Sequence, residues 1–235
     1  MMTRWLASVQ SLEEAQSLVE HLPDILDMKN PSQGALGALT HQTVTEIVRW
    51  VNHRCLCSAT VGDLTMQADI LSAAISDMAA TGVDYVKIGI FDEPDLSRCI
   101  EQLESTIKAV HTPVIAVMFA DQLPVQKMIP TLAKAGFAGV MLDTAIKNGQ
   151  GLLDHLSIGT LKRFVVEAKS AGLLCGLAGA LTIENIQQLS PLEADYLGFR
   201  SALCHQQTRT SFLDPELAKQ IHSQMNAGMP KAKTG

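Results

Sequence analysis

Three lysines stand where solvation does not explain them. Of the eleven in the chain, eight (Lys108, Lys127, Lys134, Lys162, Lys169, Lys219, Lys231 and Lys233) fall on helix-like stretches or near the C-terminal end, as surface lysines do. The others are Lys29, Lys87 and Lys147. Lys87 lies inside DYVKIGI, whose apolar run reads as a strand of a parallel sheet covered by helices. Lys29 ends DILDMK, two residues after Asp27. Side chains two apart on a strand share a face, so Asp27 and Lys29 point one way and Leu26 and Met28 the other. Asp143 ends AGVMLD, and Lys147 follows four residues later in a loop with Gly149 and Gly151. Structural ion pairs, Asp27 with Lys29 or Asp143 with Lys147, would account for any one of these residues, because buried charges are usually paired. Three lysines converging on one end of a fold are harder to explain in that way.

Clustered lysines suggest imine chemistry. A lysine must lose its proton to act as a nucleophile, and burial beside another ammonium can lower its pKa by about three units, roughly 4 kcal/mol. The free amine then adds to an aldehyde or ketone, and the resulting imine serves as an electron sink for carbon–carbon bond formation. A second lysine can move protons, and carboxylates can assist dehydration. No metal or organic cofactor is required.

Such residues need a frame that brings distant segments together. Strand-like runs begin near Trp5, Asp24, Cys55, Asp84, Pro113, Ala138, Leu173 and Ala194. Helix-like segments lie between them: Gln10–His21, opened by Ser11 with Glu14 three residues on, then Thr43–Val51, Thr65–Thr81, Asp95–Val110, Gln126–Ala135, Ile158–Ala171 and Thr182–Leu189. Gly82, Gly136 and Gly172 fall between a helix pattern and the next strand, as C-terminal caps do. Eight such alternations predict a single-domain (β/α)₈ barrel of the α/β class over residues 1–225, with 226–235 as a flexible tail. A doubly wound open sheet is the rival architecture, with fewer strands.

In a barrel of this kind the site lies at the C-terminal ends of the strands, and the loops after strands seven and eight commonly hold a phosphate. The seventh strand runs into GLAGALT, whose Gly179 and Ala180 amides precede a helix, and the eighth into GFRSALC, where Arg200 and Ser201 are placed to hold an anion. Asp121, at the end of the fifth strand, is a further candidate for the site or for a structural role. His53, Cys55 and Cys57 alternate as residues on one strand face would, but a metal site would need a fourth ligand from elsewhere, and no metal is expected. Nucleophile-elbow, Walker and dinucleotide fingerprints are missing.

The 235 residues carry 18 basic and 24 acidic side chains, 47% apolar residues and 4% aromatic ones. The acidic balance without a basic stripe argues against a nucleic-acid partner. No apolar run reaches the length of a membrane span, so no membrane partner is expected. Glu13 and Glu14 interrupt the start where a signal peptide would stay apolar, and five cysteines without framework spacing suit free thiols, so a cytoplasmic location is expected.

DMKNPSQGALGA (Asp27–Ala38) resembles the (5-formylfuran-3-yl)methyl phosphate synthases of methanofuran biosynthesis. The resemblance continues in order through DYVKIGI, GVMLDTAIKNGQGLLDHLS, CGLAGALT and DYLGFRSALC, nearly the whole chain. It implies a TIM-barrel lyase that condenses two glyceraldehyde 3-phosphates to a furan aldehyde phosphate, releasing phosphate and water. It further implies Lys29 as the Schiff-base lysine, Lys87 as the proton-transfer lysine, and Asp143 and Lys147 as further catalytic groups, with Asp27 beside Lys29. A homo-oligomer acting on a small-molecule substrate, without a cofactor, is expected. Ser201 departs from the glycine-containing turn usual after the arginine, and the following CHQQTRTS is atypical. Another imine-forming aldolase is the alternative within the same chemistry. A catalytically silent phosphate-binding barrel is the alternative outside it.

Overall fold

In a computed structural model describing residues 3–122, 125–146 and 148–227, all eight expected strands are present and close into one parallel barrel. They are β1 (Arg4–Val9), β2 (Ile25–Met28), β3 (Leu56–Thr60), β4 (Tyr85–Ile90), β5 (Val114–Phe119), β6 (Gly139–Asp143), β7 (Leu174–Leu177) and β8 (Tyr196–Phe199). Each pairs with its sequence neighbour, and β8 returns to β1 with Trp5 opposite Leu197, which excludes the open sheet.

The helices are α1 (Leu12–Ser17), α2 (His41–Val51), α3 (Ala68–Ala79), α4 (Leu96–Ala109), α5 (Ile129–Lys134), α6 (Leu152–His155), α7 (Ile158–Ser170), α8 (Ile183–Leu189) and α9 (Pro215–Asn226). Ser11 Oγ accepts the Glu14 amide at the start of α1, as its spacing predicts, while the Glu14 carboxylate accepts the Gln10 amide. The Gln126–Ala135 segment divides into a 3₁₀ turn (Val125–Met128) and α5, which begins where Pro130 fits the first helical turn. Two helices lie where no helix was read, the single-turn α6 and α9. The latter is capped by Asp214, with Pro215 at its first position. Gly82, Gly136 and Gly172 have φ of +89°, +89° and +76°, the left-handed geometry that ends a helix without a Cβ penalty. The expected tail lies outside the described residues from 228 onward.

Strand parity sorts the core into two parts. Outward residues such as Leu26, Met28, Val86, Ile88 and Val140 pack against the helices. Inward residues Leu6, Ile25, Ile115, Val117, Phe119, Met141 and Tyr196 fill the barrel. At the N-terminal rim, Asp24, Asp84 and Asp195 each stand just before an even-numbered strand. Each accepts the amide of a preceding odd-numbered strand (Trp5 at 2.8 Å, Cys57 at 2.7 Å, Cys175 at 2.7 Å), which locks the pairs in register.

The third-strand reading needs correction: His53 and Cys55 precede β3, and His53 has φ of +60°, so the three residues do not share a strand face. Burial pushes the Cys57 thiol up to about 12, which makes it an inert core group. Among the described residues no group of three or more His, Cys, Asp or Glu is placed to hold a metal ion, and no helix is long and apolar enough to cross a membrane.

Candidate active site

The register of β1, β2 and β3 places Ser8, Asp27 and Ser58 side by side, all facing inward. Both hydroxyls donate to the carboxylate, Ser8 at 3.0 Å to Oδ2 and Ser58 at 2.6 Å to Oδ1. Lys87, inward on β4, donates to the same Oδ1 at 2.8 Å. Asp27 is fully buried and Lys87 is 3% exposed. Burial alone would raise the Asp27 pKa, but the Lys87 and Lys29 ammoniums and the Ser58 hydroxyl outweigh it and hold the carboxyl below its ordinary range. Asp27 is therefore a fixed anion at the base of the site.

Above it, Lys29 leaves the end of β2 and its Nζ lies 3.7 Å from Asp143 Oδ2 at the end of β6. Asp143 Oδ1 accepts the Thr144 amide at 2.7 Å, which fixes the rotation of the carboxylate. The ion pairs thus join different strands, Lys87 of β4 with Asp27 of β2, and Lys29 at the end of β2 with Asp143 of β6 across the barrel. Lys147 lies outside the described residues.

The interior is unevenly filled. On one side Phe91 and Phe119 stack with centroids 5.0 Å apart, and Gly89 leaves room for the Phe91 ring, which a Cβ there would meet at 2.6 Å. On the other side the inward positions of β7 and β8 include Gly176, Gly198 and, just beyond β7, Ala178. Gly176 makes room for the Tyr196 ring, while Ala178 and Gly198 leave a pocket beside Met141 with Lys29 and Asp143 on its wall. Gly179, Ala180, Arg200 and Ser201 also line it, whereas Lys87 lines a separate cavity deeper in the barrel with Ser58, Tyr85 and Tyr196.

Within that group the roles differ. Gly179 and Ala180 both have positive φ, +106° and +47°, and neither amide donates to another group among the described residues. A non-glycine residue held at positive φ is a local strain that suits a ligand-facing turn. The expectation for Arg200 is corrected. Its guanidinium donates to Glu14 Oε2 (2.5 Å) and Oε1 (3.1 Å), and to the carbonyls of Ser8, Arg209 and Ser211 (3.1, 2.7 and 3.1 Å). All five N–H groups are committed, so none is left for an anion. Arg200 and Glu14 form a buried anchor beneath the pocket instead.

Asp121 is also structural. Its two oxygens accept the Ala145 and Ile146 amides, each at 2.8 Å, and these bonds hold the loop that continues from Asp143. Sequence reasoning missed Ser8, Ser58 and Glu14, which look like ordinary surface types until the register turns them inward. It missed Arg209 as well, which lines the pocket from the segment before α9.

An eight-stranded barrel with lysines and carboxylates interleaved at its C-terminal mouth defines a TIM-barrel enzyme. The profile of the 4-HFC-P synthase family matches residues 5–222, and the chain belongs to that family. A Methylorubrum extorquens protein that provisionally bears the name (5-formylfuran-3-yl)methyl phosphate synthase is 38% identical over 97% of this chain and 94% of its own. The (5-formylfuran-3-yl)methyl phosphate synthase of Methanocaldococcus jannaschii is 35% identical over 92% of this chain and 97% of its own. Among solved structures, phosphoribosyl anthranilate isomerase from Thermotoga maritima superposes with a TM-score of 0.71 at 14% identity, covering 96% of this chain and 100% of the other. The 3-keto-L-gulonate-6-phosphate decarboxylase of Vibrio cholerae gives 0.68 at 8% identity, with 98% and 100% covered. At these identities the structures attest the fold alone.

Proposed function

We propose that this enzyme condenses two molecules of glyceraldehyde 3-phosphate to (5-formylfuran-3-yl)methyl phosphate, with loss of inorganic phosphate and water, as a cytoplasmic step of methanofuran biosynthesis. Lys29 adds to the carbonyl of one triose phosphate, and loss of water leaves an imine. Lys87 moves the proton that turns the imine into an enamine, whose carbon attacks the carbonyl of the second molecule. Asp143, with Lys147, carries protons as one phosphoryl group leaves as inorganic phosphate and water is lost on ring closure. Hydrolysis of the imine by water then frees the product aldehyde and regenerates the Lys29 amine. The Gly179 and Ala180 amides and the Ser201 hydroxyl receive a substrate phosphate. What supports this reading is the paired arrangement: Lys29 faces the pocket 3.7 Å from Asp143, while a second lysine is held 2.8 Å from a separate carboxylate below it.

Incubation with glyceraldehyde 3-phosphate and borohydride, followed by peptide mapping, tests it. The expected result is a mass increment on Lys29, and an unmodified Lys29 overturns the imine. Furan absorbance in the untrapped reaction separates the synthase from an aldolase that stops at the condensed sugar. Lys29→Arg is expected to lose turnover, and full activity in that variant counts equally against the mechanism.

A further inference from the structure

Between the 3₁₀ turn Ser201–Leu203 and α9 the chain passes over the barrel mouth in the CHQQTRTS segment. Arg200 clamps this crossing from below, since its Nε and Nη2 donate to the carbonyls of Arg209 and Ser211. The backbone of Arg209 is thereby fixed, and its side chain lines the same pocket as Lys29, Asp143, Gly179 and Ser201. Arg209 is half-buried, and among the described residues its guanidinium makes a single hydrogen bond, from Nη2 to the Gly34 carbonyl at 3.0 Å. The contrast with Arg200 is sharp: one guanidinium spends every donor inside the protein, and the other keeps most of its fork available at the pocket. Burial presses the Arg209 pKa down, while Asp143 and Asp63 favour the charged form. A phosphate entering the pocket would act in the same direction as those carboxylates.

We propose that Arg209 is the cationic anchor of the substrate phosphate, presenting its planar fork to the phosphate of a molecule whose carbonyl lies at Lys29. The proposal rests on the reading of this site as an imine-forming enzyme of phosphorylated aldehydes. The bond from Arg209 to Gly34 has a second effect. Gly34 belongs to the loop that follows Lys29, and that loop is pinned in turn by Asp63, which accepts the Ala35 and Leu36 amides at 2.9 Å each. One arginine therefore grips the phosphate and ties the loop after the imine lysine to the segment that follows β8, two strands away around the barrel.

Wild-type protein, Arg209→Gln and Arg209→Lys are compared in two measurements. The first is the concentration dependence of borohydride trapping at Lys29, with glyceraldehyde 3-phosphate and with unphosphorylated glyceraldehyde. The second is the affinity for inorganic phosphate by calorimetry. Arg209→Gln is expected to weaken the phosphorylated substrate and inorganic phosphate by about 10- to 100-fold, the worth of hydrogen bonds to a charged group, and to leave glyceraldehyde unchanged. Arg209→Lys keeps the charge without the fork and should fall between, which also guards against misfolding of the glutamine variant. Arg54→Ala, whose side chain stacks on Trp50 away from the mouth, is the control and should match wild type. If both substrates weaken equally, Arg209 is a structural strap and the anchor is overturned. Lys29 trapping with a phosphate affinity indifferent to Arg209 also overturns it, while the imine reading stands. Arg209-dependent phosphate binding without any trapping at Lys29 leaves the anchor standing and removes the imine.

Discussion

Lys87 Nζ donates to Asp27 Oδ1 at 2.8 Å, joining residues sixty positions apart in the chain and two strands apart around the barrel. Asp27 also receives the Ser8 and Ser58 hydroxyls, so its charge is met from three strands at once. Removing one partner leaves the other buried and uncompensated. Asp27→Asn is expected to cost about 3–5 kcal/mol in urea unfolding. The double variant Asp27→Asn/Lys87→Met should lose less than the sum of the single variants. Strict additivity would show that the two side chains are not coupled.

Activity should respond differently at Lys87. In its proposed role as the proton-transfer group, Lys87 acts on the reacting atoms, and Lys87→Met is expected to lower kcat by about 100- to 10,000-fold. Trapping at Lys29 should persist in that variant, because imine formation precedes the step Lys87 serves. Loss of trapping together with turnover would assign Lys87 to imine formation itself.

The low Asp27 pKa makes a pH prediction whose sign is fixed. A carboxyl more acidic in the folded than in the unfolded protein contributes stability that is complete above the unfolded value, about pH 4. That contribution is lost as the pH falls from there through the folded value. Urea midpoints measured from pH 5 down to pH 3 should drop more steeply for wild type than for Asp27→Asn. Parallel curves would remove Asp27 from the acid limb.

The Arg200–Glu14 anchor predicts a stability defect and not a binding one. Arg200→Ala is expected to lose about 3–5 kcal/mol, with Glu14→Ala losing a similar amount, because each leaves a buried charge without its partner. Chemical denaturation of both variants measures this. A selective rise in KM at unchanged stability would return Arg200 to the phosphate.

Asp121 acts through the loop it holds. Asp121→Ala frees the Ala145 and Ile146 amides, which should cost about 1–3 kcal/mol of stability. Loosening the chain beyond Asp143 should also lower kcat while KM changes little. Asp121→Asn, which keeps acceptor capacity at one oxygen, should recover part of both. An unchanged kcat in Asp121→Ala would show that Asp143 is positioned without this loop.

Local pattern carried much of this enzyme. The eight strand starts were visible because each joins an apolar, β-branched run to a preceding cap or turn, and those signals span only a few residues. The parity of DILDMK likewise showed that Asp27 and Lys29 face inward, since alternation needs only the strand itself. Ending α1 and opening α9 were harder. Ser11 announced its helix, whereas α9 follows a long crossing segment whose path depends on Arg200 beneath it.

Partnership was decided by the closed barrel. From sequence, the natural pairs were the near neighbours, Asp27 with Lys29 and Asp143 with Lys147. On a strand, residues two apart stand almost 7 Å apart along the chain, whereas closing the barrel brings side chains from different strands into one interior. Hence Lys87 reaches Asp27, and Lys29 reaches Asp143. The same geometry separates two arginines nine positions apart, Arg200 turned onto Glu14 and Arg209 left open at the pocket. The sequence by itself determined which residue types stand at the strand ends. Only the tertiary structure decided which charge each one meets, because that depends on distances across the barrel that no spacing along the chain encodes.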